Sequence, residues 1–341
     1  MTKNIPKTIK VIGSKILARE LVKRGIKVVH INNYQEEMAF LELSYKNHFE
    51  YMVGGKNSKI SALASYAVEN KALTKSILSR AGISVARGML FNKSSIKKIY
   101  SFIDKIKYPV VVKQFDGAFG NLVFVGIKNK KDLNEKIGEI FKKNKYVLVE
   151  KEFKGKEFRF IASRNKVFAV TNRDPANVIG DGIHNIKELV KIKNSDPNRG
   201  EKNEKPLTKI KIDRITKQNL AEQKIGLNYI PSKEKKIYLR KESNISTGGD
   251  SIDVTDQVHP EFKKIAIKAV KAIHGLAYAG VDLMTNKDIS KKPTKNSYII
   301  VELNSSPGIH PQHFPYQGKP KNVAKEIIDI LFPETKGKYI K

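Results

Sequence analysis

The chain has 341 residues, 40% of them hydrophobic, which is enough for a packed globular protein and too many for a disordered one. The absence of cysteine excludes disulfides and thiolate zinc sites, and the absence of long apolar runs and of a signal-peptide core predicts a cytoplasmic protein with no membrane partner. The net charge of +31 comes from lysines spread along the whole chain, a pattern that favours a lysine-coated surface over a nucleic-acid interface.

The first elements along the chain are predicted to form a strand–helix–strand unit over residues 8–31. TIKVIG predicts a short strand, and IKVVHI predicts a second one after a helix that Gly25 ends. The apolar residues of that helix share one face and are Ile16, Leu17, Leu21 and Val22. The turn after the first strand lacks GxGxxG, so the unit is not evidently a dinucleotide site. Residues 66–82 are predicted to form another helix, which ends at Gly82.

Helices and strands alternate in the rest of the chain. Up to about residue 155 the pattern predicts a helix at 94–105, a strand at 109–114, a glycine-containing turn at 116–120, a strand at 122–127, a helix at 131–143 and the strand YVLVE. Beyond residue 155 it predicts a hairpin of strands 157–163 and 166–171, a lysine-rich loop at 191–206, a helix at 259–275, the strands AGVDLMT and SYIIVELN, and a last helix at 321–331.

Two carboxylates and one amide lie in apolar runs that predict buried strands, GVDLM and YIIVELN. They belong to Asp282, Glu302 and Asn304. A buried carboxylate needs a positive partner, and hard oxygen ligands suit Mg²⁺ bound to nucleotide phosphates. Glu302 and Asn304 project from the same strand face, which favours metal ligation. The alternative is that Asp282 and Glu302 each form an ion pair with a lysine or arginine.

Lys113 ends the strand YPVVVK, and the sequence DGAFGN follows at once. An ammonium group on a rigid strand can hold phosphates together with the backbone N–H groups of a turn that contains Gly117 and Gly120. The alternative is an ordinary hairpin with a solvated lysine.

The segment YVLVEKEFKGKEFRF joins an apolar strand to a run of charged residues. Backbone groups of Glu150 and Lys151 could face an adenine edge, and Glu157 could accept hydrogen bonds from ribose hydroxyls. A charged edge strand is the alternative. Further along the chain, Arg173 and Arg240 carry guanidinium groups, which bind carboxylate and phosphate oxygens in pairs.

The loop NISTGGDS begins at Asn244, and its Gly248 and Gly249 permit a close backbone approach to a ligand. A tight turn without a ligand is the alternative. His310 and His313 do not have helical zinc-ligand spacing, so a zinc site with Glu302 is disfavoured. The chain has neither GxSxG nor a Walker sequence, so neither a hydrolase elbow nor a P-loop is supported.

Taken in order, eight segments of the chain resemble the ATP-grasp family. The resemblance covers the chain from about Lys10 to Phe332. The segments that carry it lie between Glu69 and Gly318 and are ENKALTKSILSRAGI, YPVVVKQFDGAFG, VLVEKEFKGKEFRF, RDPANVIGDGIHNIKELV, NSDPNRGEKNEKPLTKI, YLRKESNISTGGDSIDVTD, GVDL and VELNSSPGIHPQHFPYQG. The resemblance is strongest to the C-terminal ATP-grasp module of bifunctional glutathione synthetases (glutamate–cysteine ligase/glutathione synthetase). The module of cyanophycin synthetase comes next, and NSSPGI is closer to its pattern. Gln114 stands where glutathione-type modules usually carry proline.

The resemblance implies roles for most of these residues. Those expected to hold the nucleotide phosphates are Lys71, Lys113, Gly117 and Gly120. Those expected around adenine and ribose are Glu150, Lys151, Phe153 and Glu157. The expected ligands of Mg²⁺, which Mn²⁺ can replace, are Asp282, Glu302 and Asn304. The expected catalytic residues, which contact phosphate and the reacting carboxylate, are Arg173 and Arg240, and the residues expected near the substrate are Asn244, Ser246, Thr247 and Gly248.

The resemblance also implies an α/β (α+β) ATP-grasp fold in three parts. These are an N-terminal Rossmann-like α/β domain over 1–85, a central lid over 86–155 and a C-terminal domain with an antiparallel sheet over 156–341.

The activity that the resemblance implies is that of an ADP-forming ligase. With ATP and Mg²⁺ it would activate a carboxylate as an acylphosphate and join it to an amine. The expected substrates are small molecules, a γ-glutamyl or other short peptide and an amino acid. The alternatives are a cyanophycin-like or specialised-metabolite amino-acid ligase and a non-catalytic basic nucleic-acid-binding relative. A homo-oligomer is also expected.

Overall fold

Three larger antiparallel sheets and two small two-stranded sheets, with helices packed against them, form the fold of the computed structural model, which describes residues 5–6, 8–31, 39–115, 122–201 and 205–340. This mixture of helices and antiparallel sheets confirms the predicted fold class. Within the described ranges, no helix is both long enough and apolar enough to cross a membrane.

The first sheet, the N-terminal sheet, is a meander preceded by helix α1. Its elements are α1 (Ile12–Lys23), β1 (Lys27–His30), β2 (Phe40–Tyr45), β3 (His48–Val53) and β4 (Lys56–Asn57). The predicted face of α1 is confirmed because all four apolar residues are buried, and Gly25 follows the helix with a positive φ of 74°. The first predicted strand is wrong. Val11 is the N-cap of α1, and β1 pairs antiparallel with β2, so this unit is not Rossmann-like.

The helix predicted over residues 66–82 is two helices, α2 (Ala62–Glu69) and α3 (Lys71–Arg80). The break falls at Asn70, whose side-chain oxygen accepts the N–H of Leu73 and caps α3. Asparagine favours such caps over helix interiors, and this preference explains the break. The new helix start places Lys71 and Lys75 one turn apart on the same side of α3.

The second sheet, the middle sheet, has the strand order β5-β8-β6-β7. Its strands and the two helices that pack on it are β5 (Gly88–Asn92), α4 (Ile96–Ile106), β6 (Val110–Gln114), β7 (Val123–Ile127), α5 (Lys130–Phe141) and β8 (Tyr146–Lys151). A separate apolar core lies between the helices and the sheet. All of these elements were predicted except β5, whose residues GMLFN carry little strand alternation. The predicted turn at 116–120, with Gly117 and Gly120, lies outside the described residues.

The third sheet, the main sheet, has the order β15-β10-β9-β16-β17. Its strands and helices are β9 (Lys156–Ser163), β10 (Val167–Asp174), β15 (Asp250–Asp253), α8 (Pro260–Ala272), β16 (Tyr278–Thr285), β17 (Tyr298–Asn304), α9 (His310–His313) and α10 (Val323–Leu331). One continuous apolar core joins this sheet to the N-terminal sheet and α1. The predicted hairpin of β9 and β10, the helix α8 and the strands β16 and β17 are confirmed.

The segment between β10 and β15 folds as a small unit with its own apolar core. Its elements are β11 (Asn177–Ile179), α6 (Ile186–Asn194), β12 (Arg199–Gly200), β13 (Leu207–Thr208), α7 (Arg214–Glu222) and β14 (Lys236–Tyr238). The loop predicted over 191–206 is therefore wrong in part. The helix α6, whose start Asn185 and Glu188 fix with a capping box, extends into that range.

His313 joins the segment after β17 to the last helix. Its Nε2 atom accepts the N–H of Ala324 in the first turn of α10, at 3.1 Å, so the ring must be neutral there. Burial lowers the pKa of His313 to about 4. The folded chain therefore prefers the neutral ring. This preference stabilises the fold above the unfolded value of about 6.5 and is lost as the pH falls from there towards 4.

We expect acidification from pH 7.5 to pH 4.5 to cost the wild type roughly 1–2 kcal/mol through this ring alone. The variant His313→Gln keeps a neutral acceptor, so its melting temperature should fall less over the same interval. Calorimetry at both pH values measures the difference between the two proteins. Parallel melting curves for wild type and variant would contradict the prediction.

Candidate active site

A row of charges crosses three neighbouring strands of the main sheet. Asp282 on β16 pairs in register with Arg159 on β9 and with Glu302 on β17. The Nε and Nη2 atoms of Arg159 each lie 2.5 Å from an oxygen of Asp282. Arg173 on β10 extends the row, because its Nη1 atom donates to Asp282 at 3.1 Å and to Glu157 at 2.6 Å. Alternate residues of neighbouring strands thus place two guanidinium groups among three carboxylates.

Burial and the arginines shift the pKa values of these carboxylates in opposite directions. Burial alone would raise the pKa of Asp282, but Arg159 and Arg173 outweigh it and hold that pKa below its usual value. Burial raises the pKa of Glu157 to about 7, against the lowering effect of Arg173 and with a further increase from the charge of Asp282. Asp282 is therefore the firmly ionised partner of the arginines.

A second group of charges lies where α3 meets the middle sheet. Lys113 on β6 places its Nζ atom 2.9 Å from Glu150 Oε2 on β8, and Lys75 on α3 contacts the other oxygen of Glu150. All three residues are buried. Burial lowers the pKa of Lys113 to about 8, and the charges of Glu302 and Glu157 act on it in the opposite direction. The helix α3, which carries Lys75, also packs against β17, which carries Glu302, so this group lies beside the row on the main sheet.

The three residues predicted as metal ligands lie together where the middle of β16 pairs with the end of β17. Asn304 Nδ2 donates to Glu302 Oε1 at 3.4 Å, and Glu302 faces Asp282 across the strand pair. Asp282 adopts the alternative that the sequence left open, an ion pair with arginine. The side chain of Glu302 remains 32% exposed, with the nearest guanidinium nitrogen of Arg159 at 4.0 Å. Among the described residues, no group of three His, Asp or Glu side chains could hold a metal ion.

The remaining residues predicted around the nucleotide, Lys151 and Phe153, lie at the end of β8 and in the segment that follows it. Lys151 uses its ammonium group to donate to the carbonyl oxygens of Lys107 and Tyr108, both at 3.0 Å. Its backbone N–H donates to Arg87, so the end of β8 is held against the strand β5. Phe153 is half-buried in the segment that follows β8.

The loop NISTGG forms a 3-10 turn beside the row. Asn244 Oδ1 accepts the N–H of Ser246, and Thr247 Oγ1 donates to the Asn244 carbonyl oxygen. Gly248 has a φ of 98°, and a Cβ atom there would lie 2.8 Å from the backbone of Ile210, so this position requires glycine. The loop enters β15, where Ser251 pairs with Arg173. The structure thus brings the predicted substrate loop to one end of the charged row.

Arg240 lies apart from these contacts, whereas His310 lies near Arg159 of the row. In the described part of the chain, Arg240 forms its ion pair with Asp213, which caps α7, rather than with the carboxylates of the main sheet. Burial lowers the pKa of His310 to about 4, with a further contribution from the charge of Arg159. His310 is therefore a neutral ring near the row.

Two segments of the chain, residues 68–180 and 239–331, match a family model described as a RimK-like ATP-grasp domain. Together they make up more than half of the chain. The chain belongs to the RimK-like ATP-grasp family.

Proteins of known name resemble this ATP-grasp chain over most of its length. It is 36% identical over 323 residues to the glutathione biosynthesis bifunctional protein GshAB of Clostridium perfringens, with 94% of this chain and 41% of that protein covered. The protein of the same name from Pasteurella multocida is 35% identical over 330 residues, which cover 95% of this chain and 43% of that one.

The fold is similar to the crystal structure of a bifunctional glutathione synthetase from Pasteurella multocida, with a TM-score of 0.73 and 34% identity over 96% of this chain and 45% of that chain. The chain therefore spans less than half the length of the curated relatives it matches.

The unit between β10 and β15 lies mostly outside the match to the ATP-grasp family model, because residues 181–238 are not included. Buried charges attach it to the family core. Arg199 donates to the Gly248 carbonyl oxygen at 3.2 Å and pairs with Asp250, and Lys193 Nζ lies 2.6 Å from the other oxygen of Asp250. This unit therefore holds the end of the NISTGG loop and the first residue of β15 through Arg199 and Lys193.

Three residues at the site were missed from the sequence: Lys75, Arg159 and Arg199. Arg159 follows Glu157 by two positions on one strand, so strand alternation already placed both on the same face. The partners of Lys75 and Arg199 are distant in sequence, and no local pattern indicates them.

Proposed function

We propose that this chain is an ATP-dependent carboxylate–amine ligase that forms an amide bond. The observation that supports it most is the convergence of Lys113, Arg159 and Arg173 with Asp282 and Glu302 at the meeting of the middle and main sheets. Arg173 also keeps a buried Nε atom without a hydrogen-bond partner in the described part of the chain. Such an excess of buried donors suits phosphate oxygens.

The donor set fits Mg²⁺. Asp282 and Glu302 contribute carboxylates from directly opposite positions, and Asn304 contributes an amide oxygen on the same face as Glu302. The guanidinium groups of Arg159 and Arg173 pair with Asp282, and they would turn to phosphate oxygens if this carboxylate held the metal. A bound Mg²⁺ would neutralise phosphate charge and orient the transferring group.

In the proposed reaction, a carboxylate oxygen of the substrate attacks the γ-phosphorus of ATP. The bond between the γ-phosphorus and the β,γ-bridging oxygen breaks. ADP is the leaving group, and the substrate carboxylate becomes an acylphosphate. The amine then attacks the acyl carbon, phosphate departs, and the nitrogen loses a proton to solvent. Little acid–base chemistry is needed, so the residues act by position and charge.

We assign these positions to groups of residues. The residues that would hold phosphates are Lys71, Lys113 and Arg173, with Gly117 and Gly120 of the predicted turn. Glu157 would accept hydrogen bonds from ribose hydroxyls. Glu150, Lys151 and Phe153 would border adenine. Residues that would face the reacting carboxylate and the amine are Arg240, Asn244, Ser246, Thr247 and Gly248.

The proposed substrates are a γ-glutamyl peptide and a small amino acid. The names of the relatives that align over at least 94% of this chain support this choice. The dependence on ATP and the lack of cysteine fit a cytoplasmic enzyme, and a homo-oligomer remains part of the proposal, to be measured by light scattering.

Phosphate release from Mg-ATP, measured across pairs of carboxylates and amines, tests the proposal. γ-Glutamyl dipeptides with glycine should release phosphate and give the matching amide by mass spectrometry, whereas either compound alone should not. Steady release without any amine would indicate an ATPase. No release with any pair, although ATP binds, would overturn the choice of small-molecule substrates. The absence of ATP binding would overturn the ligase itself.

A further inference from the structure

One buried lysine at the site has no role in the proposed function. Lys75 on α3 is 8% exposed, beside Lys113 at 5% and Glu150 at 4%. The ammonium group of Lys75 contacts one oxygen of Glu150, and that of Lys113 lies 2.9 Å from the other. A single carboxylate therefore faces two buried ammonium groups, so the three side chains together carry one excess positive charge.

Lys75 and Glu150 belong to different parts of the fold. The helix α3 packs against β17 of the main sheet and against α8. Glu150 and Lys113 belong to the middle sheet, on β8 and β6. The ion pair of Lys75 and Glu150 therefore holds the middle sheet against α3 from inside the site.

Gly88 on β5 makes room for the Glu150 side chain. The two residues pair directly across β5 and β8. A Cβ atom at Gly88 would lie 2.6 Å from Glu150 Cγ and 3.0 Å from the Val149 carbonyl oxygen. A larger residue at position 88 would displace Glu150 from the lysines. Glycine at this position of β5 therefore leaves the space that the Glu150 side chain occupies.

We propose that Lys75 is a positioning residue of the nucleotide site, which holds the Glu150 carboxylate when Lys113 turns from Glu150 to a phosphate of ATP. This inference rests on the proposed function. Without Lys75, the departure of Lys113 would leave a buried carboxylate with no counter-charge, which is strongly unfavourable. With Lys75 present, the phosphate instead takes up the excess positive charge of the group.

The charged surroundings of the triad agree with this role. Burial and the charge of Lys113 lower the pKa of Lys75 well below its usual value, and burial lowers that of Lys113 to about 8. The other charged groups that act on the two lysines are Lys71, Glu157 and Glu302. An anion bound beside the lysines would relieve their mutual repulsion.

Calorimetric titration of the full chain with Mg-ATP tests the role of Lys75. The variant Lys75→Met should bind ATP about 10- to 100-fold more weakly than wild type. Its dissociation constant should also rise with pH, relative to wild type, by up to about tenfold per unit, because Glu150 must now take up a proton when Lys113 leaves. Arg80→Met, an exposed change on the same helix, should bind like wild type.

The outcomes separate this inference from the proposed function. If wild type binds ATP and Lys75→Met matches it within about twofold at every pH, the inference is overturned and the ligase proposal stands. If wild type does not bind ATP, both fall. If Lys75→Met does not fold, the double variant Lys75→Met/Glu150→Gln is compared with Glu150→Gln. Equal affinities support the inference because Lys75 acts only through Glu150, whereas a further loss beyond about fivefold overturns it.

Discussion

Glu302→Gln should reduce turnover by about 1000-fold or more and leave the free energy of unfolding nearly unchanged. The side chain of Glu302 is 32% exposed, and its nearest guanidinium nitrogen lies 4.0 Å away, so an amide there costs little in the absence of metal. The same amide removes one of the two charges proposed to bind Mg²⁺. Phosphate release measures turnover, and denaturant unfolding measures stability.

Asp282→Asn should differ from Glu302→Gln in stability. It also removes a proposed metal ligand, so turnover should fall by a similar factor. In addition, Asp282 is 2% exposed and is shared by Arg159 and Arg173, so the asparagine leaves two guanidinium groups under-compensated. We expect a loss of about 2–4 kcal/mol from the free energy of unfolding.

The pair of variants separates the metal role from the structural role. Glu135→Gln on the exposed surface of α5 is the matched control and should change neither measurement. Near-normal turnover in both site variants would remove Asp282 and Glu302 from the proposed metal site. An equal loss of stability in both variants would show that Glu302, like Asp282, stabilises the fold as a counter-charge of the arginines.

The sequence predicted the middle and main sheets better than the N-terminal one. Strands such as β6, β8, β16 and β17 are continuous apolar runs, because they are buried inside the fold. The hairpin of β2 and β3 was missed although its strands alternate, since Phe49 and Tyr51 are exposed and blur the pattern. The turn between these strands places Lys46 at a φ of 53°, a position where glycine or asparagine would have been the usual indication.

The sequence predicted which residues form the site but not which of their side chains contact one another. Motif order named Lys113, Glu150, Glu157, Arg173 and Asp282, and the structure brings them together around the meeting of two sheets. Which cation neutralises which carboxylate depends on the register between strands far apart in sequence. A sequence with 65 Lys and Arg residues cannot specify those pairs by composition. The metal, substrate and nucleotide roles of these residues stay predictions.

Arg24→Met should destabilise the fold by about 3–5 kcal/mol, although Arg24 lies outside the proposed site. Its side chain is fully buried, and it donates to Glu20 at 2.9 Å and to Asp329 at 2.7 Å. Its Nη2 atom also donates to the Lys325 carbonyl oxygen, so one guanidinium group joins α1 to α10 across the chain. Methionine fills a similar volume but leaves the buried Glu20 without this cation and leaves Asp329 paired with Lys325 alone.

The origin of this loss can be tested with a second substitution. Because the penalty arises from stranded carboxylates rather than from lost volume, Arg24→Met/Glu20→Met should recover part of the stability that Arg24→Met loses. Urea unfolding of wild type, Arg24→Met, Glu20→Met and the double variant gives the coupling energy. A coupling below about 0.5 kcal/mol would show that the two residues contribute independently. A large coupling would show that Glu20 becomes destabilising once Arg24 is removed, because the two residues then contribute as one ion pair at the end of α1.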